Sequence, residues 1–107
     1  MDTGIHVSER SPLPLFALGN LSSTPAALAA LQRRGISPTD YLSRHASGDF
    51  GDLDAHDTAA NAAAVDSGRR VFSSYNLPAC AGDRETKVWI VTEADHRVTT
   101  ILLPSDY

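Results

Sequence analysis

The sequence has 107 residues, of which 42% are hydrophobic and 21% charged, with thirteen acidic residues against nine basic ones. This length suits one compact domain with a modest core, and the composition excludes the charge-rich, apolar-poor class of disordered proteins. The formal net charge of -4 opposes non-specific attraction to a phosphate backbone, so nucleic-acid binding requires a local basic patch and is not favoured.

The cysteine content and the apolar runs bear on the compartment. A single cysteine, Cys80, leaves no partner for an intramolecular disulfide, which favours a reducing environment. The N-terminal stretch has acids near its start and no apolar segment typical of a signal peptide, and no later run reaches the roughly 18 apolar residues of a membrane span. We therefore expect a cytoplasmic protein without a membrane segment.

The N-terminal part gives two predictions. Residues 1–12 are polar and lead into closely spaced prolines, which favours a flexible arm, and residues 13–107 are predicted to form a single domain. The run LFALGN, residues 15–20, is too short for periodicity to distinguish a buried strand from a loop that plugs the core, and an extended segment is preferred.

Three helices are predicted next from their capping residues. Thr24 and Ser37 are placed as N-caps, each followed by a proline at the first helical position, and Asp54 is placed as the cap of a third, alanine-rich helix. The left-handed position after each helix falls on a glycine: Gly35, Gly48 and Gly68.

After the third helix the composition changes to three segments rich in β-branched and aromatic residues, at 69–77, 87–93 and 97–103. Short polar connections favour antiparallel pairing, because parallel pairs need a longer crossover. The predicted fold class is α+β, with two to three N-terminal helices packed on a three-stranded antiparallel β-meander.

Two blocks of this sequence carry a family resemblance. RHASGDFGDLDAHD begins at residue 44, and KVWIVTEADHRVTTILLPSDY covers residues 87–107. Together they resemble a family of small bacterial proteins of plasmids and integrated mobile elements, and the similarity extends over roughly residues 14–107. The resemblance names no established activity. It implies a small protein of a mobile element, for which binding of a host or plasmid protein is the leading hypothesis.

The family pattern maps onto this chain with two departures. Phe50 stands where tryptophan is usual, and His96 stands where arginine is usual, with Arg97 one place later. A role that needs arginine at that turn is therefore in question. The matching positions are His45, Gly48, Asp49, Gly51, Asp52, Leu53, Asn61, Ser74, Tyr75, Trp89, Thr92, Glu93, Asp95, Thr99, Thr100 and Pro104.

The acidic stretch between the second and third helices has alternative interpretations. Its acids can cap and orient the helices that flank the turn, or gather oxygen ligands for a divalent cation beside His45, although the spacing is not that of an EF-hand. Capping is the preferred interpretation of most of these acids, and it leaves His45 and Asp49 without a role. The acids can also present a surface to a basic partner, which is the leading hypothesis for function. The predicted binding residues are Asp49, Asp52, Asp54, Asp57, Asn61 and Thr99. No cofactor is predicted.

A second cluster lies where the last two predicted strands meet. Glu93, His96 and Arg97 provide a base, an acid and a cation, which is the minimum set for metal-independent RNA cleavage, and His45 is a further candidate catalytic residue. A solvated turn is the structural alternative. The leading hypothesis is an interaction protein. A ribonuclease or toxin-like domain and a small-ligand or metal-binding accessory domain are the alternatives.

Overall fold

The computed structural model describes residues 14–107. The predicted N-terminal arm, residues 1–12, lies outside these residues. The chain forms β1 (Asn20–Ser23), α1 (Pro25–Arg33), α2 (Pro38–Ala46), α3 (Ala55–Ser67), β2 (Val71–Asn76), β3 (Lys87–Thr92) and β4 (Val98–Leu102), with short 3-10 turns at Ala94–His96 and Pro104–Asp106. The α+β fold class is confirmed.

The three helices begin at the predicted caps. The hydroxyl of Thr24 accepts a hydrogen bond from the backbone N–H of Ala27 at 3.1 Å, and the side chains of Ser37 and Asp54 accept equivalent bonds at the start of α2 and α3. Gly68 ends α3 with a φ of 72°, which a residue without a Cβ adopts at little cost. Local hydrogen bonding therefore accounts for these three boundaries.

The sheet differs from the prediction. It has four strands in the order β1-β4-β3-β2, and β1 runs parallel to β4 while the other two pairs are antiparallel. The predicted three-stranded antiparallel meander is therefore wrong, and because β1 precedes α1 the helices do not all stand before the sheet. The sequence of β1, NLSS, is mostly polar and exposed, so its strand conformation depends on pairing with β4 rather than on its own propensity.

Residues 15–19 of the LFALGN segment form a loop that plugs the core, and no buried strand forms there. Only its last residue, Asn20, belongs to β1, and Phe16 inserts its ring into the core, where it is 8% exposed. Gly19 has a φ of 68°, and a Cβ there would collide with the carbonyl of Arg97. A glycine is therefore needed where the plug turns into the strand.

The two faces of the sheet are covered differently. α1 and α2 supply the buried side chains that pack with one face, and this core includes Ala27, Ala30, Leu31, Leu42, Val88, Ile90 and Ile101. On the other face, the ring of Trp89 meets those of Phe72 and Tyr107 edge-on, at centroid distances of 5.2 and 5.8 Å. α3 is largely exposed and buries only Asn61 and Ala64. None of the helices within residues 14–107 has the length and apolar character needed to span a bilayer.

Candidate functional site

His45 lies in the last turn of α2 and is completely buried. Its Nδ1 is 2.6 Å from the hydroxyl of Ser73 on β2, and its Nε2 is 2.8 Å from the hydroxyl of Thr92 on β3. Thr92 in turn contacts the hydroxyl of Thr99 on β4 at 2.7 Å. We call His45, Ser73, Thr92 and Thr99 the buried polar network. It joins one helix to three strands.

The direction of each hydrogen bond in this network follows from its last member. The hydroxyl of Thr99 donates to the carbonyl of Leu18, at 2.7 Å, and a carbonyl can only accept. Thr99 has then used its proton, so Thr92 donates to Thr99 and must accept from Nε2–H of His45. In the neutral ring Nδ1 carries no proton and accepts from Ser73. Both ring nitrogens are therefore satisfied within the core.

Burial keeps this imidazole neutral. Desolvation is the main cause that lowers the pKa of His45 to about 4, and the nearby His96 contributes to the same shift. The ring of Phe16 lies between the two histidines, with centroid distances of 5.3 Å to His45 and 5.1 Å to His96. A general base must contact its substrate, and here the ring of Phe16 packs against the imidazole of His45, which would be that base.

Asp49 follows α2 and is engaged by Arg44. One carboxylate oxygen accepts from Nε of Arg44 at 2.7 Å, and this bond is the main cause that lowers the pKa of the Asp49 carboxyl. The guanidinium of Arg44 also lies 4.6 Å from the centroid of the Tyr75 ring. The Tyr75 hydroxyl donates to the backbone carbonyl of Asp49 at 2.6 Å, and burial raises the pKa of that hydroxyl to about 12. Asp49 is half exposed, whereas His45 is buried, so the two residues do not present a shared ligand set.

The remaining acids of the stretch have separate contacts. Asp52 forms an ion pair with Lys87 at 2.8 Å, and Asp54 caps α3 by accepting from the N–H of Asp57 at 2.8 Å. Asp57 itself is exposed in the first turn of α3, where a negative charge is favourable to the helix dipole. Within residues 14–107 no group of three or more His, Cys, Asp or Glu side chains is arranged to hold a metal ion.

The two other predicted binding residues have contacts inside the fold. The side-chain amide of Asn61 donates to the carbonyl of Phe72, and its oxygen accepts from the Phe72 N–H at 3.1 Å. It therefore replaces a neighbouring strand at this point of β2. Thr99 belongs to the buried polar network and is fully buried.

The strand-end residues face different neighbours. Glu93 lies 3.7 Å from Nε of Arg70, with both side chains about half exposed. His96 bonds through Nε2 to the backbone carbonyl of Arg69 at 2.8 Å. Arg97 is exposed, and its carbonyl accepts from β1. Glu93 and His96 are thus held by separate partners, and no hydrogen bond or ion pair within residues 14–107 joins the three side chains.

An open concavity lies beside β1. It has a volume of about 860 Å³. Residues 14–21 form one wall, and α2 together with the turn that follows it, up to Asp49, forms the other. We call it the β1–α2 groove. Its apolar lining includes Pro14, Phe16, Leu18, Leu21, Leu42 and Ala46, and the Arg44–Asp49 ion pair lies at its polar end.

The comparisons with known proteins give no family for this chain. No protein-family model, curated protein or solved structure matches it. The resemblance to mobile-element proteins therefore stays a prediction.

Sequence reasoning identified His45 but not its partners. Ser73 and Thr92 are polar residues at inward-facing positions of strands, and such positions indicate buried hydrogen bonding once the sheet register is known. The groove gave no signal in the sequence. Its walls come from residues 14–21 and from α2, and their separation depends on the unpredicted pairing of β1 with β4.

Proposed function

We propose that this chain is an accessory protein of a plasmid or integrated mobile element, and that it acts by binding a segment of a host or plasmid protein in the β1–α2 groove. The observation that carries this proposal is the groove itself. It combines an apolar lining with a volume that lies within the usual range for ligand sites, roughly 300–1,000 Å³.

The exposure of apolar side chains at the groove supports binding of a macromolecule. Leu21 lines the groove and is 58% exposed, and Leu15, which is 59% exposed, lies in the same segment outside the lining. Contiguous apolar surface on a small protein is costly in water and is typical of a contact region. The Arg44–Asp49 pair gives the same region a polar rim, as interfaces commonly have.

The acidic character of the chain supports a basic partner. Asp49 and Asp52 are paired with Arg44 and Lys87, whereas Asp57 lies exposed on α3. The whole chain keeps a net charge of -4. Charge of this kind raises the rate at which a basic partner is encountered, while the groove supplies the apolar contact that holds it.

A small apolar ligand is a second candidate because the groove has a suitable size and only a few polar groups at one end. The ribonuclease hypothesis is less well supported. Its proposed acid and base, His96 and Glu93, have separate partners, and the ring nitrogens of His45 are both occupied in the core.

The proposal is tested by capture from a host lysate with matched variants. Leu21→Gln changes an exposed groove residue, and Leu28→Gln is its control, since Leu28 is also exposed but lies on α1 outside the groove. We expect a stoichiometric protein partner with the wild type and Leu28→Gln, and its loss with Leu21→Gln. Retention that is unchanged by Leu21→Gln but lost with Asp57→Asn and at high salt would assign binding to the acidic surface instead.

A further inference from the structure

The two edges of the sheet differ in whether their outward backbone groups are hydrogen-bonded within the domain. At the β2 edge, the Asn61 amide satisfies both backbone groups of Phe72. Further along this edge, Ser74 donates to the carbonyl of Phe50 and accepts from the N–H of Asp52. The β2 edge is thus closed to another strand by contacts within the domain.

The β1 edge is open along the part of the chain that the structure describes. The N–H groups of Asn20 and Thr24 donate inward, to the carbonyls of Arg97 and Ile101. Because backbone groups alternate along a strand, the N–H and C=O groups of Leu21 and Ser23 point away from β4. Among residues 14–107 no strand pairs with that side of β1.

The side chains of β1 do not protect this edge. Its residues include neither a charged side chain nor a proline, which are the usual means of preventing strand addition. Leu21 pairs in register with Thr99, whose side chain lies on the helix-covered face of the sheet. The Leu21 side chain therefore leans from the open edge towards α2, and it forms part of the groove wall.

The geometry points to strand addition: we infer that the partner segment binds in an extended conformation as a fifth strand along β1. Its backbone pairs with the outward groups of Leu21 and Ser23, and every second side chain enters the β1–α2 groove. This inference rests on the proposed function and specifies the conformation of the partner.

The length and charge of the site define the partner further. β1 has four residues, so the edge offers few backbone bonds and cannot hold a strand by itself; apolar side chains in the groove must supply the remainder. The alternate side chains of the added strand face away from the groove. On these positions Lys or Arg complements the net charge of -4 of the chain. The expected partner is therefore an extended segment with alternating apolar and basic residues.

The test uses a random 12-residue peptide library displayed on phage and selected on the full chain. Selected peptides are synthesised, and amide hydrogen exchange of the protein is measured with and without each of them. We expect apolar residues at every second position of the selected peptides. We also expect the amides of Leu21 and Ser23 to exchange at least tenfold more slowly in the complex.

A pair of proline variants separates edge pairing from groove contact. Ser23→Pro removes an outward N–H and leaves the inward bonds of β1 intact, so peptide affinity falls at least tenfold while the melting temperature is retained. Ser22→Pro is the control, since alternation directs the Ser22 N–H towards β4 and its loss lowers the melting temperature. If Ser23→Pro also fails to fold, the hydrogen-exchange measurement on the wild type decides whether the peptide pairs with the edge of β1.

The outcomes distinguish the two proposals. Strand addition is overturned if the selected peptides carry apolar residues three and four positions apart, as a helix does. It is also overturned if binding leaves the amides of Leu21 and Ser23 unprotected. In both cases the groove remains a binding site. Protection of these amides in the free monomer means the edge is already occupied, and protection that depends on protein concentration means a second copy occupies it; both overturn the inference. Failure to select any peptide refutes the proposed function together with it.

Discussion

Acidification should destabilise this protein through His45. The unfolded imidazole takes up a proton at about pH 6.5, whereas burial holds the pKa of His45 at about 4 in the folded chain. The unfolded state therefore binds more protons between these values, and stability falls as the pH falls through that window. The stability gained by keeping His45 neutral in the core is fully present above about pH 6.5 and is lost below about pH 4.

The size of the effect follows from the two pKa values. The difference of about 2.5 pKa units corresponds to about 3 kcal/mol in total, and a little over half, about 2 kcal/mol, is lost between about pH 7.5 and about pH 5. Within residues 14–107 no carboxylate perturbs the pKa of the ring. Its immediate neighbours are the hydroxyls of Ser73 and Thr92 and the rings of Phe16 and Phe50, and His96 is the titratable group beyond Phe16.

Urea unfolding at a series of pH values measures how the free energy of unfolding changes with the protonation of His45. The control is His45→Gln, which keeps an amide donor and acceptor but has no group that titrates in the window. Subtracting the variant's free energy of unfolding from that of the wild type at each pH cancels the contributions of the carboxylates and of the other histidines. We expect the difference to fall by about 2 kcal/mol over the window.

Two results would refute the reasoning. The first is equal pH dependence in the wild type and His45→Gln. The second is an imidazole pKa near 6.5 for His45 in an NMR titration of the folded protein, because such a value requires a ring that is solvated in the native state.

Three further predictions concern the fold and the site, and each is tested by urea unfolding. Gly51→Ala should lower the free energy of unfolding by about 2–4 kcal/mol, because Gly51 has a φ of 75° and a Cβ would collide with the Ser74 carbonyl. The control, Gly35→Ala, is also at positive φ but has open space around it, so it should cost only about 1 kcal/mol. Equal losses in the two variants would contradict the steric role of Gly51. Asn61→Ala should cost about 1–3 kcal/mol, since it leaves the edge of β2 unsatisfied, and a loss under about 0.5 kcal/mol would mean that water replaces the amide without penalty. Glu93→Gln should change stability by less than about 0.5 kcal/mol, as its ion pair is exposed, and a larger loss would place Glu93 in a structural role that these contacts do not predict.

The sequence by itself determined the parts of the fold that depend on neighbouring residues. The caps at Thr24, Ser37 and Asp54 were predictable because each bonds to a backbone N–H only two or three residues ahead. The three main strands were predictable because their β-branched and aromatic composition suits a pleated surface, and short connections favour antiparallel pairing.

Only the tertiary structure decided the features that join distant segments. β1 was not predicted as a strand because NLSS has little intrinsic preference for one, and its partner β4 lies near the other end of the sequence. The same applies to His45: the sequence marked it as a residue without an obvious capping role, but its two hydroxyl partners, Ser73 and Thr92, come from two different strands. Whether a histidine is a solvated base or a neutral member of the core depends on which side chains surround it, and that is fixed by long-range packing.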